Sequence, residues 1–154
     1  GAPAALAASA PGPVTLRDGH RIEHDAAAVV RRAARHGELQ PVAGVPELLA
    51  WVQQQGWRCA VVSNGPQSKL QQALSHCNLL PFFNEHIYSA YDINIFKPDP
   101  SLYLHAATQL GAAPSDCVVI EDSLPGVKAG IAAGMTTLFY NLHHEISMQN
   151  CPIP

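Results

Sequence analysis

The sequence predicts an α/β protein, a parallel sheet packed between two layers of helices, and three observations carry that prediction. Residues 58–63 and 117–121 are short apolar runs without polar alternation, which suits strands buried on both faces. Each run ends in polar residues at a turn that opens a helical pattern, Ser63-Asn64-Gly65-Pro66 after the first and Glu121-Asp122-Ser123-Leu124-Pro125-Gly126 after the second. Strands alternate with helices along the chain, which favours parallel strands joined by crossovers.

Taken in order, residues 1–13 are rich in Ala, Pro, Gly and Ser and lack the basic start and apolar stretch of a signal peptide. Residues 1–24 are therefore expected to be linker or disordered. Residues 25–38 contain Ala-Ala-Ala-Val-Val-Arg-Arg-Ala-Ala-Arg, a helix-prone run that is basic on one side. The core is expected over 39–140. Val45, Leu48, Leu49 and Val52 follow the i, i+3, i+4, i+7 pattern, with Pro46 in the first turn and Gly56 past the end. A strand over 57–63 follows, then a helix carrying Leu70, Ala73, Leu74 and Cys77. Residues 86–90 read as an edge strand leading into a loop through Lys97. The next helix carries Leu102, Ala106 and Leu110, and the strand at 117–121 leads to a helix in which Val127 and Ile131 are expected to face inward, with Gly134 ending it. Residues 136–140 form the last strand, and 141–154 a tail.

Composition bounds the function. The 154 residues suffice for one domain with a real core. At 47% hydrophobic and 14% charged, with a net charge of −3 and no basic run, the chain gives no electrostatic reason to expect nucleic acid or an anionic membrane as partner. No stretch approaches the roughly 20 apolar residues of a membrane span. Cys59, Cys77, Cys117 and Cys151 lack metal-ligand spacing and read as small apolar residues in a reducing, cytoplasmic setting. The eight histidines, including His143-His144, are scattered and read as solvated.

The chemistry lies in three segments. Two adjacent carboxylates, Glu121 and Asp122, at the carboxyl end of a buried strand need a cation or a set of donors, and a hard oxygen-seeking ion such as Mg2+ suits them; the alternative is a solvated strand end with Asp122 capping the next helix. The hydroxyl of Ser63, the amide of Asn64 and the backbone of Gly65 suit a phosphate oxyanion at a helix N-terminus. Lys97 stands in Phe96-Lys97-Pro98-Asp99-Pro100, where each proline fixes its own φ and biases its predecessor toward extended geometry, so the cation is placed rather than floating.

In that order and spacing these segments resemble the second, third and fourth motifs of the haloacid dehalogenase-like hydrolase superfamily, over about residues 39–140. The resemblance implies a three-layer, Rossmann-like core, residues 25–38 as the last helix of a cap, and Mg2+ as cofactor. It implies Lys97 and Ser63 as catalytic groups, Ser63, Asn64, Gly65 and Lys97 around phosphate, and Asp122 supported by Glu121 at the metal. The acidic pair separates the phosphate-handling members from the 2-haloacid dehalogenases, which need no metal. Ser89-Ala90-Tyr91-Asp92-Ile93 together with Ser-Asn-Gly-Pro is similar to sugar-phosphate phosphatases of the β-phosphoglucomutase-like subgroup, so the expected partner is a small phosphorylated metabolite.

The family's first motif, Asp-x-Asp at the end of the central strand, occurs nowhere in the sequence. Asp18-Gly19 could match its second half, with Leu16 in the nucleophile's place; a polar turn in a linker is the other reading. Without that strand the core is expected to lack its centre, leaving strand edges to be completed by an upstream segment, another chain or domain swapping. A phosphatase missing its nucleophile, a phosphomutase, and a catalytically inactive phosphate- and metal-binding or interaction module are the functions compatible with these residues.

Overall fold

A computed structural model describes residues 40–140 and, as a strand, residues 4–9. The expected cap helix at 25–38, the Leu16-Arg17-Asp18-Gly19 segment, the tail at 141–154, His143-His144 and Cys151 lie outside the described residues.

The described chain runs β1 (Ala4–Ser9), α1 (Val45–Gln54), β2 (Arg58–Ser63), α2 (Gln67–His76), α3 (Leu80–Phe83), β3 (Ile87–Ser89), α4 (Ala90–Ile93), α5 (Ser101–Leu110), a 3₁₀ turn (Pro114–Asp116), β4 (Cys117–Glu121), α6 (Leu124–Ala132) and β5 (Thr136–Phe139). The sheet order is β3-β2-β1-β4-β5. β2 pairs parallel with β3, and β4 with β5. The four strands expected from the sequence are all present, point the same way and stand in two pairs.

The space between those pairs is filled, against expectation, by Ala4–Ser9 from the segment read as linker. β1 runs antiparallel to both neighbours, with Ala4 opposite Ser63 and Ser9 opposite Arg58 on one side, and Leu6 opposite Ile120 and Ser9 opposite Cys117 on the other. Two facing strand edges inside a core must find partners for their N–H and C=O groups, and an antiparallel strand satisfies them as fully as a parallel one. Ala-Ala-Leu-Ala-Ala-Ser has little β propensity of its own, so only this tertiary demand makes it a strand. It carries no carboxylate.

Alternation along the strands sends neighbouring side chains to opposite faces. Val61 of β2 and Ile120 of β4 join Val45, Leu49 and Val52 of α1, Leu70 and Leu74 of α2, and Phe83 in one core layer. Val62 and Val119 join Leu102, Tyr103 and Ala106 of α5, and Ala129 and Ala133, in the other. These layers set the carboxyl ends of β2 and β4 on either side of β1, with the Ser63 and Asp122 turns at the same edge of the sheet.

One inward-facing residue was misplaced by the pattern: Ile131 is 43% exposed, while Val127 is buried as expected. The face that α6 turns to the sheet is set instead by small residues, because a Cβ on Gly130 would crowd Thr137 and contact Val119, and one on Gly126 would overlap the Glu121 carboxylate. A helix pressed this close buries Gly126, Ala129 and Gly130 and leaves the larger Ile131 at the margin. No helix among the described residues is long and apolar enough to cross a membrane.

Candidate phosphate-binding site at the carboxyl edge of the sheet

The site is built around Glu121, the last residue of β4, whose side chain is completely buried. A carboxylate this deep is tolerated only with donors around it, and it has four. Lys97 Nζ lies 2.5 Å from Oε1 and Tyr103 OH donates to the same oxygen at 3.0 Å. Ser123 donates to Oε2 from its backbone N–H at 3.0 Å and from its hydroxyl at 2.8 Å. The same Ser123 Oγ accepts from Gly126 N at 3.2 Å, so one side chain caps α6 and orients the acid.

Lys97 reaches the site from the loop between α4 and α5. Its Nζ also donates to the carbonyl of Val62 at 3.3 Å, which places the ammonium between the ends of β2 and β4. Its backbone is clamped by Asn64: Asn64 Nδ2 donates to the Lys97 carbonyl at 3.1 Å, and Lys97 N donates to Asn64 Oδ1 at 2.8 Å. The Lys97-Pro98 peptide is cis, and Asp99 turns the chain into α5 by accepting from Ser101 N at 2.8 Å. That hydrogen bonding holds the Asp99 carboxyl below its ordinary pKa.

The Ser63 turn is equally organised. Ser63 is buried, and its Oγ accepts from Gly65 N at 2.9 Å. Ser89, at the end of β3, donates to the Gly65 carbonyl at 2.7 Å and caps α4 by accepting from Tyr91 N. Unlike α6, helix α2 has no side-chain cap at its N-terminus, so the positive end of a ten-residue helix opens directly behind Ser63-Asn64-Gly65. The positive end of a helix favours negative charge nearby.

The structure therefore brings Ser63, Asn64, Gly65, Lys97 and Glu121 into one bonded group, with Asp122 next in the chain. It gives two of them work the sequence did not foretell: Asn64 holds the lysine's backbone in place, and Glu121 holds its ammonium. Both carboxylate oxygens of Asp122 are shielded from solvent. Mg2+ is suited to this acidic pair in kind, but among the described residues no three His, Cys, Asp or Glu side chains come together as a metal site. The described donor set is thus incomplete for that ion.

Tyr103, and the bonding roles of Ser123, Ser89 and Gly126, escaped the sequence reading. Tyr103 was legible only as a lone hydroxyl in the small apolar stripe of α5, a position at which a buried tyrosine needs a partner. Ser123 was legible as the cap before Leu124-Pro125.

Cys59, Cys77 and Cys117 are buried and free, as expected. Burial pushes the Cys59 thiol up to about 11, and the Sγ donates to the Phe82 carbonyl at 3.2 Å.

Comparison with known proteins identifies the family. The family model described as haloacid dehalogenase-like hydrolase matches residues 7–134. The 6-phosphogluconate phosphatase of Escherichia coli K12 is 36% identical over 103 residues, covering 67% of this chain and 45% of that protein. The phosphoglycolate phosphatase of Nitrosococcus oceani is 33% identical over 119 residues, covering 76% and 52%. The crystal structure of β-phosphoglucomutase from Clostridium difficile superposes with a TM-score of 0.57 at 26% identity, covering 62% of this chain and 42% of that one. The chain spans about half the length of these relatives. With residues 7–134 of its 154 matched by the family model, the chain belongs to the haloacid dehalogenase-like hydrolases.

Proposed function

We propose that this chain is the phosphate-handling core of a Mg2+-dependent phosphoester hydrolase acting on a small phosphorylated sugar or metabolite, and that on its own it lacks the nucleophile. The observation that carries the reading is the placement of Lys97 between the ends of β2 and β4, held by Glu121 and Val62 and clamped by Asn64 beside the uncapped N-terminus of α2. A phosphate seated there meets a helix N-terminus, a Ser63 hydroxyl and a fixed ammonium, the donors that stabilise charge on a transferring phosphoryl group. Asp122 is the first candidate to hold Mg2+, supported by Glu121, and the ion would add Lewis-acid neutralisation of the phosphoryl oxygens. With so few carboxylates its binding is expected to be weak. The phosphatases among the relatives support hydrolysis, and the similarity to a β-phosphoglucomutase keeps phosphoryl transfer between sugar hydroxyls as the second reading.

The missing nucleophile rests on β1. The strand beside Ser63 is Ala-Ala-Leu-Ala-Ala-Ser, in which nothing can attack phosphorus to form an acyl-phosphate. Positioning without a nucleophile leaves only a small residual rate. The test is hydrolysis of an aryl phosphate and a sugar-phosphate panel with Mg2+, comparing the chain with a form whose central strand is an upstream Asp-x-Asp segment. The chain is expected to be nearly inactive and the extended form active, losing turnover on Lys97→Ala or Asp122→Asn. Robust turnover by the chain alone overturns the missing-nucleophile reading. An inert extended form overturns the hydrolase reading.

A further inference from the structure

Glu121 Oε1 accepts from two side chains at once, and the second donor has no part in the phosphate chemistry proposed above. Tyr103 and Glu121 are both wholly buried. The phenol donates to Oε1 at 3.0 Å, while the face of its ring lies under the Lys97 ammonium, Nζ standing 5.4 Å from the ring centroid. We infer that Tyr103 is a positioning residue for Lys97, working through Glu121 with its hydroxyl and directly with its ring.

A buried lysine and carboxylate left to themselves satisfy each other, and the attraction that holds the cation also turns it away from any incoming anion. A second donor on Oε1 shares that oxygen's negative charge and fixes the plane of the carboxylate, whose other oxygen is already held by Ser123. The aromatic face supports the ammonium from another side without offering it a competing negative charge. Tyr103 sits in the first turn of α5, six residues after Lys97, so the loop that carries the lysine leads directly into the helix that steadies it.

This inference rests on the phosphate-site reading for its consequence but not for its geometry, and the experiment separates the two. Tyr103→Phe keeps the ring and the core packing and removes only the hydroxyl; Tyr103→Leu removes the ring as well. The chain has three lysines, and Lys69 and Lys128 are exposed, so the Lys97 side-chain NMR signal can be assigned with a Lys97→Ala variant. In Tyr103→Phe that signal is expected to shift while the thermal midpoint stays within a few degrees of wild type. Affinity for inorganic phosphate, titrated calorimetrically, is expected to fall roughly 3- to 10-fold, the range of one net hydrogen bond, and further in Tyr103→Leu. A Lys97 signal unmoved in Tyr103→Phe overturns the inference whatever phosphate does, since a purely packing role predicts that result. A shifted Lys97 signal in a protein that does not bind phosphate supports the positioning of Lys97 and overturns the phosphate reading.

Discussion

Replacing Gly126 by alanine, elsewhere in a helix a favourable change, is expected to destabilise this protein. A methyl group at this position would fall on the Cδ and both oxygens of Glu121, well inside van der Waals contact. Only two escapes exist. If α6 lifts off the sheet, the overpacking costs about 1–3 kcal/mol. If Glu121 swings aside, the buried pair with Lys97 breaks at about 3–5 kcal/mol, because the ammonium is left buried without its carboxylate. Alanine's helix preference returns at most about 1 kcal/mol. The net loss is therefore about 1 kcal/mol along the cheaper route, or roughly 3 °C in thermal midpoint for a chain of this size. Urea unfolding of Gly126→Ala in the wild-type and Glu121→Ala backgrounds isolates the cause. With the carboxylate gone, the same alanine is expected to be neutral or stabilising. A Gly126→Ala protein as stable as wild type, or an equal loss in both backgrounds, would refute the close approach of α6 to Glu121 as the reason for glycine.

Ser123→Ala removes both the cap on α6 and one of two donors to Glu121 Oε2, and should cost about 1–2 kcal/mol in urea unfolding, with Ser123→Thr recovering most of it. The Cys59 thiol gives a pH dependence of known sign: its folded value near 11 lies above the unfolded value of 9.0, so the native state holds the proton more tightly. That contribution is fully present below pH 9 and lost as pH rises toward 11, up to about 3 kcal/mol, and alkaline unfolding of Cys59→Ala should lack it. For the same reason Cys59 should react with iodoacetamide at pH 8 far more slowly than a free thiol.

The strands β2 and β4 were legible because each is an apolar run that ends at a polar turn, and β3 and β5 from their place in the alternation of strands with helices. The helices α1, α2, α5 and α6 were legible from apolar positions that recur with a period near 3.6, whereas the four-residue α3 and α4 were not expected. Ala4–Ser9 was not, because nothing in six small residues prefers a strand, and their conformation follows from the two edges they join. Ile131 was misread because periodicity assigns the larger side chain to the core, whereas Gly126 and Gly130 bring the helix too near the sheet to admit it. In the site, the residue types and their order along the chain named Ser63, Lys97, Glu121 and Asp122. The bonds among them were out of reach, since Asn64 to Lys97 and Tyr103 to Glu121 are contacts between segments that sequence spacing does not relate.

The central claim, that the Ser63 turn and Lys97 form one phosphate-binding site, is tested most directly by titrating inorganic phosphate into isotope-labelled protein and following the backbone amides by NMR. The account predicts shifts concentrated at Ser63, Asn64, Gly65 and Gln67, where α2 begins, and at Lys97 across the Asn64 clamp, all of them abolished by Lys97→Ala in a variant that remains folded. Shifts clustered elsewhere on the molecule, or an unchanged response at Ser63 and Gly65 in Lys97→Ala, would contradict it.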